Sequence, residues 1–577
     1  MFRKLNYWHL VLIVMLPIVL ALINPNWIFN AGIADDYIYL GYQLDFLKYV
    51  DWAPSIDMYF IERFSLNLPA YFVRQIFSPL ASNFILHLSV YYLAAFSVYG
   101  ILNRLANARI ALIITLLFGQ YPLVLRSIGW DYLDGYVMAM LAFTIFLLTQ
   151  AVGSKRTPLY IIGAGCAFAL MFNGNSFNAV YAPALALYYL FLSDWRNRII
   201  QRFIMTGIYT AIGAGIMTGI LMGVYYALTQ NILYENSFRI SRLPVAYQFS
   251  YYFSTNYSKY VHPHWIFLFV ATASIIVFRP LIWKRATYID SQNPAIRNYR
   301  VILRAMLALF TASLLVLGYY QFQGYVFSRL HFYNTNWVLI SFLFLGVIFT
   351  PLLNKDNQRF YQYAPLISFI VPMLPLIIFT LYPDIFVIFN HYVLYIGAIV
   401  CLILAFFPRM AVIGLVGFAM FTGAMLNDSR VYQSYHYPPR IDVYVSDRYM
   451  LQDIYEHSVK IAQTINARYD SLNLDNFRIF YVGKDPHRRL FDTVGGIYLW
   501  SWDRVLTSNQ IVEQIERSEY PFREIVVLTS ADRAETTLAT LAEKVEFIPL
   551  ETHTISYSRG DINVIFVQFV SVIEPTS

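Results

Sequence analysis

Apolar runs long enough to cross a bilayer, roughly 17 to 25 residues each, recur along the chain. They fall near 7–27, 81–101, 109–125, 135–152, 158–173, 176–192, 203–228, 262–283, 301–320, 334–353, 363–382, 385–407 and 410–426. The pattern predicts a polytopic α-helical membrane protein of about thirteen spans. The division of 158–192 into two short spans rests on the polar break Asn173-Gly174-Asn175-Ser176-Phe177-Asn178. A re-entrant pair is the alternative there, and it leaves the later topology unchanged. Irregular backbone at that depth needs protein or water around it.

Orientation follows from Lys and Arg. With Arg3 and Lys4 inside, the inner loops hold Arg104 and Arg109, Lys155 and Arg156, Arg196, Arg198 and Arg202, the basic stretch from Arg279 to Arg304, Lys355 and Arg359, and Arg409. Segments 28–80, 126–134, 173–178, 229–261 and 321–333, and everything after Asn427, then lie outside. The long first outer loop, 28–80, has helical stretches near 36–50 and 58–77. In the second, Tyr59, Phe60, Phe64, Leu68, Tyr71 and Phe72 share a face, as in helices lying in the interface plane.

From about Tyr432 the pattern becomes that of a soluble domain, giving a division into 1–426 (membrane) and 427–577 (extracytoplasmic). Leu451, Ile454, Ile461 and Ile465 mark one face of a helix near 448–468. Strand-like runs follow at Phe477 to Val482, Glu524 to Thr529 and Val545 to Pro549, with helical stretches near 508–518 and 531–543. A hairpin pairs Thr554 to Tyr557 with Asn563 to Val570 through Ser558-Arg559-Gly560-Asp561. The alternation predicts a small C-terminal α/β domain. The linker Tyr435-His436-Tyr437-Pro438-Pro439-Arg440 suits a stiff extended connection.

Composition agrees with the membrane reading. The 577 residues are 58% hydrophobic and 13% charged, with a mean hydropathy of +0.51, whereas soluble domains carry about 25% charged residues. The net charge of +7 resides mostly in short loops between apolar runs. It reads as topology, and no nucleic-acid partner is expected. Cys166 and Cys401 both lie in apolar runs, so neither a disulfide framework nor a Cys-based metal site is available.

The candidate chemistry sits on the outer face. Asp35 and Asp36, in Ala34-Asp35-Asp36-Tyr37, follow the first span directly. Charge beside a bilayer is costly and usually has a partner or a job. An ordinary helix N-cap would account for one of the two. Asp131 and Asp134, one helical turn apart, open the next outer loop behind Arg126. Four carboxylates on neighbouring outer loops suit a divalent metal ion (Mg, Mn or Zn), with Asp36 and Asp131 the foremost ligands. They equally suit a structural network with Arg63, Arg74 and Arg126. Arg329 and His331 lie at the apolar boundary before the tenth span. A guanidinium there suits a lipid-linked phosphate, and snorkelling is the bland alternative. His262 and His264, split by Pro263, read as interfacial anchors, and Trp500-Ser501-Trp502-Asp503 as a core Trp pair rather than a sugar platform.

This pattern resembles the GT-C superfamily of membrane glycosyltransferases, in particular the branch of protein O-mannosyltransferases and lipid A aminoarabinose transferases. The resemblance rests on the inside N-terminus, Asp35-Asp36 after the first span, the long first outer loop, Asp131 and Asp134 after the third span, and an outer C-terminal domain. Family members often carry Asp-Glu where this chain has Asp-Asp. A Trp-Trp-Asp-Tyr-Gly motif, as in oligosaccharyltransferases, is absent.

The resemblance implies an integral protein of a bacterial or archaeal cell membrane that moves a sugar from a polyprenyl-phosphate-linked donor to a hydroxyl of a glycan, lipid or protein acceptor. It makes Asp35 the base, with Asp36 positioning it or binding metal. Asp131 and Asp134 become an acceptor or metal site, and Arg329 with His331 the donor-phosphate site. A transporter of lipid-linked sugars is the alternative. It predicts charge deep within spans and an internal repeat, whereas here the spans are nearly free of charge and the acids cluster on one face.

Overall fold

The computed structural model describes residues 7–23, 35–47, 63–129, 133–193, 199–230, 299–322, 335–350, 358–374, 377, 391–407, 410–426, 450–468, 477–482, 485–498, 502–505, 523–558 and 560–573. The expected span at 262–283, the linker at 435–440 and the expected helix at 508–518 lie outside them. Contacts divide the chain into two compact units. One is Met1–Ile28 with His87–Arg448, and the other is Phe29–Leu86 with Tyr449–Ser577.

The first unit is helical. Its helices are α1 (Tyr7–Ile23), most of α4 (Pro79–Leu105), α5 (Ala108–Gly119), α6 (Pro122–Gly129), α7 (Leu133–Ala151), α8 (Thr157–Gly174), α9 (Ala182–Leu192), α10 (Ile199–Thr229), α11 (Tyr299–Phe322), α12 (Thr335–Phe349), α13 (Gln358–Ile370), α14 (His391–Ala405) and α15 (Ala411–Leu426). Each falls on an expected apolar run. Among the described residues, four helices are long and apolar enough to cross a membrane, or five if a bent pair counts as one span, and shorter apolar helices accompany them. The expected count of about thirteen is therefore not reached among these residues.

Every residue of α12 is buried, as an all-round apolar helix at the centre of a bundle should be. In contrast, α10 exposes Ile200, Phe203, Ile208, Ile212, Ile216 and Ile220. So much apolar surface on one long helix suits hydrocarbon and not water, and the protein is an integral membrane protein. Against its other side α10 meets α8 backbone to backbone. A Cβ on Gly213 would lie 1.9 Å from the Ile162 carbonyl oxygen, and one on Gly165 2.2 Å from that of Thr210. Small residues are what allow such an approach between membrane helices. The Cys166 thiol uses the same contact, donating to the Gly213 carbonyl at 3.2 Å.

One detail differs from the pattern reading. The third run, 109–125, is not one straight span: α5 stops at Gly119 and the chain bends by 68° into α6. Pro122, the first residue of α6, has no N–H to continue the α5 ladder and is suited to starting a new helix. The sidedness of the helix ends is nevertheless self-consistent. Arg104 at the end of α4 donates to the Gln150 side chain at 3.2 Å and to the Val152 carbonyl, and Thr149 bonds Tyr188 at 2.6 Å. The ends of α4, α7 and α9, all expected on the inner side, thus share one pole.

The second unit is built on a five-stranded sheet. It contains α2 (Asp35–Leu44), α3 (Phe64–Ile76), α16 (Met450–Arg468), β1 (Phe477–Val482), α17 (Arg488–Ile497), β2 (Trp502–Val505), β3 (Glu524–Ser530), α18 (Ala534–Ala542), β4 (Val545–Ile555) and β5 (Ile562–Val572). The strand order is β2-β1-β3-β5-β4. β1 runs parallel to β2 and β3, and β5 is antiparallel to β3 and β4. A small C-terminal sheet with helices was expected; α2 and α3, from the long first outer loop, join it in one unit.

Alternation along the strands sends Phe480, Ile525, Val527, Ile565 and Val567 to the face covered by α18. Phe477 and Tyr481 go to the other face, against Tyr498 and Phe491 at the two ends of α17. The 545–549 and 554–557 stretches prove to be one strand, β4, which is irregular beside Pro549. A bulge there accommodates a residue that cannot donate to the ladder. β2 takes in Trp502 and Asp503, while Trp500 lies outside the described residues.

In such sheets ligands favour the carboxyl ends of the strands where connections leave in opposite directions, here between β1 and β3. Asp485 fills that place. Its carboxylate accepts the His487 N–H at 2.8 Å and both the N–H and the hydroxyl of Ser530 at 3.0 Å.

Candidate functional site

Asp35 is the first residue of α2, and Asp36 follows it in the first turn. The start is explicable locally, because carboxylates favour the positive end of a helix. Beyond them Tyr39, Leu40, Tyr42, Gln43 and Phe46 are buried, spacings that hold one broad face of α2 against protein.

What holds that face is specific. The Arg63 guanidinium lies 5.3 Å from the centre of the Tyr39 ring. Phe46 packs on Tyr71 of α3 with ring centres 6.1 Å apart. Gln75 donates to the Leu44 carbonyl at 2.9 Å, and Arg74 Nε donates to Gln43 Oε1 at 3.0 Å. α2 packs against both α3 and α17. Burial, and then the Asp45 carboxylate, push the Tyr71 phenol above its ordinary range.

The buried side of α3 is Phe64, Ser65, Asn67, Leu68, Ala70 and Arg74, and Phe72 is exposed. The aromatic face expected of this helix is therefore displaced. The buried face is set by contact with α2, and it takes in Asn67 and Arg74.

Arg74 also donates to the Tyr455 hydroxyl of α16, with its guanidinium 5.6 Å from the Tyr455 ring centre. Tyr455 passes the chain on to Asn83 Oδ1 at 3.0 Å. The sequence offered Arg74 only as a partner for the outer-face carboxylates, and no signal linked it to Tyr455, 381 positions away.

Asp134 belongs to the first unit, where it sits buried in the first turn of α7. The neighbouring Gly135 explains how α7 starts there. A Cβ on it would lie 2.4 Å from the Ser127 carbonyl oxygen and 2.7 Å from Ile128 Cα, so α6 and α7 touch through backbone.

The other end of the α7 start meets the polar break, since a Cβ on Gly174 would lie 3.1 Å from the Tyr136 ring. The break is ordered: a short 3₁₀ turn, Ser176–Tyr181, bridges α8 and α9. Asn173 donates to the Ala169 carbonyl at 2.8 Å, Asn178 to the Asn175 carbonyl at 3.1 Å, and Asn336 at the start of α12 to Asn178 Oδ1 at 2.9 Å. Three segments expected on the outer side, the α7 start, the 173–178 break and the α12 start, thus form one buried polar pole. Asn178 belongs to the polar break that the sequence singled out, and Asn336 is the member it did not suggest.

Asp131, Arg329, His331, His262 and His264 lie outside the described residues; in sequence Asp131 comes shortly before α7 and the 329–331 stretch shortly before α12. No group of three or more His, Cys, Asp or Glu side chains suited to a metal ion is found among the described residues.

The class defined so far is an integral membrane protein of apolar helices with an α/β domain, acidic residues opening α2 and a buried acid opening α7. Residues 81–221 match the family described as dolichyl-phosphate-mannose-protein mannosyltransferase. That match covers α4 to α10, and it bears out the resemblance to GT-C membrane glycosyltransferases.

Two solved structures, both of ArnT from Cupriavidus metallidurans, are similar over almost the whole chain. For the one bound to undecaprenyl phosphate the identity is 13%, the coverage 97% of this chain and 98% of that chain, and the TM-score 0.45. For the apo state the corresponding values are 13%, 98%, 98% and 0.44. Comparison with curated proteins gives no match.

Proposed function

We propose that this protein transfers a sugar from a polyprenyl-phosphate-linked donor to an acceptor hydroxyl on the outer membrane face. The observation that carries the reading is the match of residues 81–221 to a family described by a dolichyl-phosphate-mannose donor and a protein acceptor. The acidic pair opening α2 and the buried acid opening α7 supply the chemistry such a transfer needs.

An acceptor hydroxyl is a poor nucleophile until a carboxylate takes its proton. In this reading Asp35 is that base and Asp36 positions it. The hydroxyl oxygen bonds to the anomeric carbon while the bond from that carbon to the phosphate oxygen breaks. The electron pair leaves with the polyprenyl phosphate, and displacement from the opposite face inverts the anomeric centre. Arg329 and His331 hold the phosphate and offset its growing charge. Asp131 and Asp134 orient the acceptor. Asp36 and Asp131 would offer a divalent ion oxygen ligands only, which suit Mg or Mn better than Zn. A bound ion of that kind would further offset charge on the phosphate. The N-terminus is then cytoplasmic and the domain after residue 427 extracytoplasmic.

The test is purified protein in liposomes supplied with a panel of radiolabelled polyprenyl-phosphate sugars and candidate acceptors. Label appearing on an acceptor supports the reading and identifies the donor. Movement of the lipid-linked sugar across the bilayer without transfer would replace it with the transporter.

A further inference from the structure

We infer that the C-terminal α/β domain serves to position the acidic pair, and that Arg74 and Tyr455 are the positioning residues; the catalytic part of this rests on the transfer reading above. Phe29–Leu86 and Tyr449–Ser577 form one compact unit, so the helix that begins with Asp35 is folded onto the C-terminal domain. Two contacts hold it there. α17, which follows β1, packs directly on α2. Arg74, only 8% exposed, spans from Gln43 on α2 to Tyr455 on α16, and Tyr455 is itself 1% exposed.

A buried guanidinium demands partners, because its desolvation is compensated only when its donors are used. Its planar fork fixes the directions in which they lie. One side chain therefore sets the register among three segments, and Tyr455 extends the link to Asn83. Gln43 lies two turns beyond the acidic pair, so a tilt of α2 at Gln43 displaces its first turn. The domain's own ligand crevice, between β1 and β3, is occupied by Asp485. What the domain presents to the rest of its unit is a supporting surface.

The experiment compares Tyr455→Phe, which keeps the ring and removes the hydroxyl, with Arg74→Gln in the full-length protein. Hydrogen exchange of α2 (Asp35–Leu44) and of β3 is measured beside kcat and donor KM. The expected result is exchange in α2 faster by about tenfold with β3 unchanged, and kcat lower by about tenfold in Tyr455→Phe and by up to about a hundredfold in Arg74→Gln, with KM held.

Wild-type exchange and kcat in both variants would overturn the inference. So would equal acceleration in α2 and β3, which signals global loosening. A wild-type protein that transfers no sugar, while α2 exchange still responds, would remove the transfer reading and leave the mechanical link standing.

Discussion

Gly135→Ala is a small change with a calculable consequence. The added methyl would sit 2.4 Å from the Ser127 carbonyl oxygen, 2.7 Å from Ile128 Cα and 2.8 Å from the Ser127 carbonyl carbon. All three are backbone atoms, so no rotamer change relieves the clash, and α6 and α7 must move apart. Forcing a methyl into a packed contact costs about 1–3 kcal/mol. Alanine's preference for helix returns at most about 1 kcal/mol, leaving a net loss of about 1–2 kcal/mol. In detergent-purified protein of 577 residues that corresponds to a fall in Tm of about 1–2 °C. Gly215→Ala is the control, because a Cβ there meets nothing within 4 Å, and its Tm should equal or exceed that of the wild type. Since Asp134 is the preceding residue, Gly135→Ala should also lower transfer in excess of its effect on Tm. A wild-type Tm in Gly135→Ala would refute the backbone contact between α6 and α7, and with it the stated placement of Asp134.

Gly165→Ala and Gly213→Ala should each destabilise by a similar amount through the α8–α10 contact, and the double variant should lose less than the sum because the two sites share one interface; full additivity in thermal scans would contradict that sharing. Arg329→Ala should raise donor KM at least about tenfold, the loss expected for a charge-assisted phosphate contact, and kinetics with a soluble short-chain donor would show it; an unchanged KM removes Arg329 from the phosphate site. The all-oxygen set of Asp36 and Asp131 predicts that any loss of transfer in EDTA is reversed by Mg²⁺ or Mn²⁺ and not by Zn²⁺, with recovery by Zn²⁺ alone as the contrary result.

Apolar periodicity made the membrane helices legible, since hydrocarbon imposes length and composition on any helix that crosses it. It did not show that 109–125 breaks at Gly119, because the break is a backbone event inside an unbroken apolar run. In the C-terminal domain, β1 and β3 were legible from their β-branched and aromatic residues. The amphipathic α17 and the four-residue β2 were not, since Arg488–Ile497 carries little apolar signal and β2 owes its place to pairing with β1. The split reading of β4 came from Pro549, which punctuates local patterns but is absorbed here by a bulge. At the candidate site, Asp35-Asp36 and Asp134 were visible because charge beside a bilayer stands out. Arg74 and Asn178 were visible as polar groups, but their partners Tyr455 and Asn336 were not, because long-range side-chain bonds leave no local spacing to read.

The most direct test of the central claim is transfer by Asp35→Asn protein, matched to wild type for folding and expression, with the donor found in the panel. Removing a general base typically costs 10²–10⁴-fold. In Asp35→Asn, kcat should therefore fall by at least about a hundredfold with donor KM little changed, and Asp36→Asn should lose less. Transfer by Asp35→Asn at the wild-type rate would remove Asp35 from the chemistry and contradict the account at its centre.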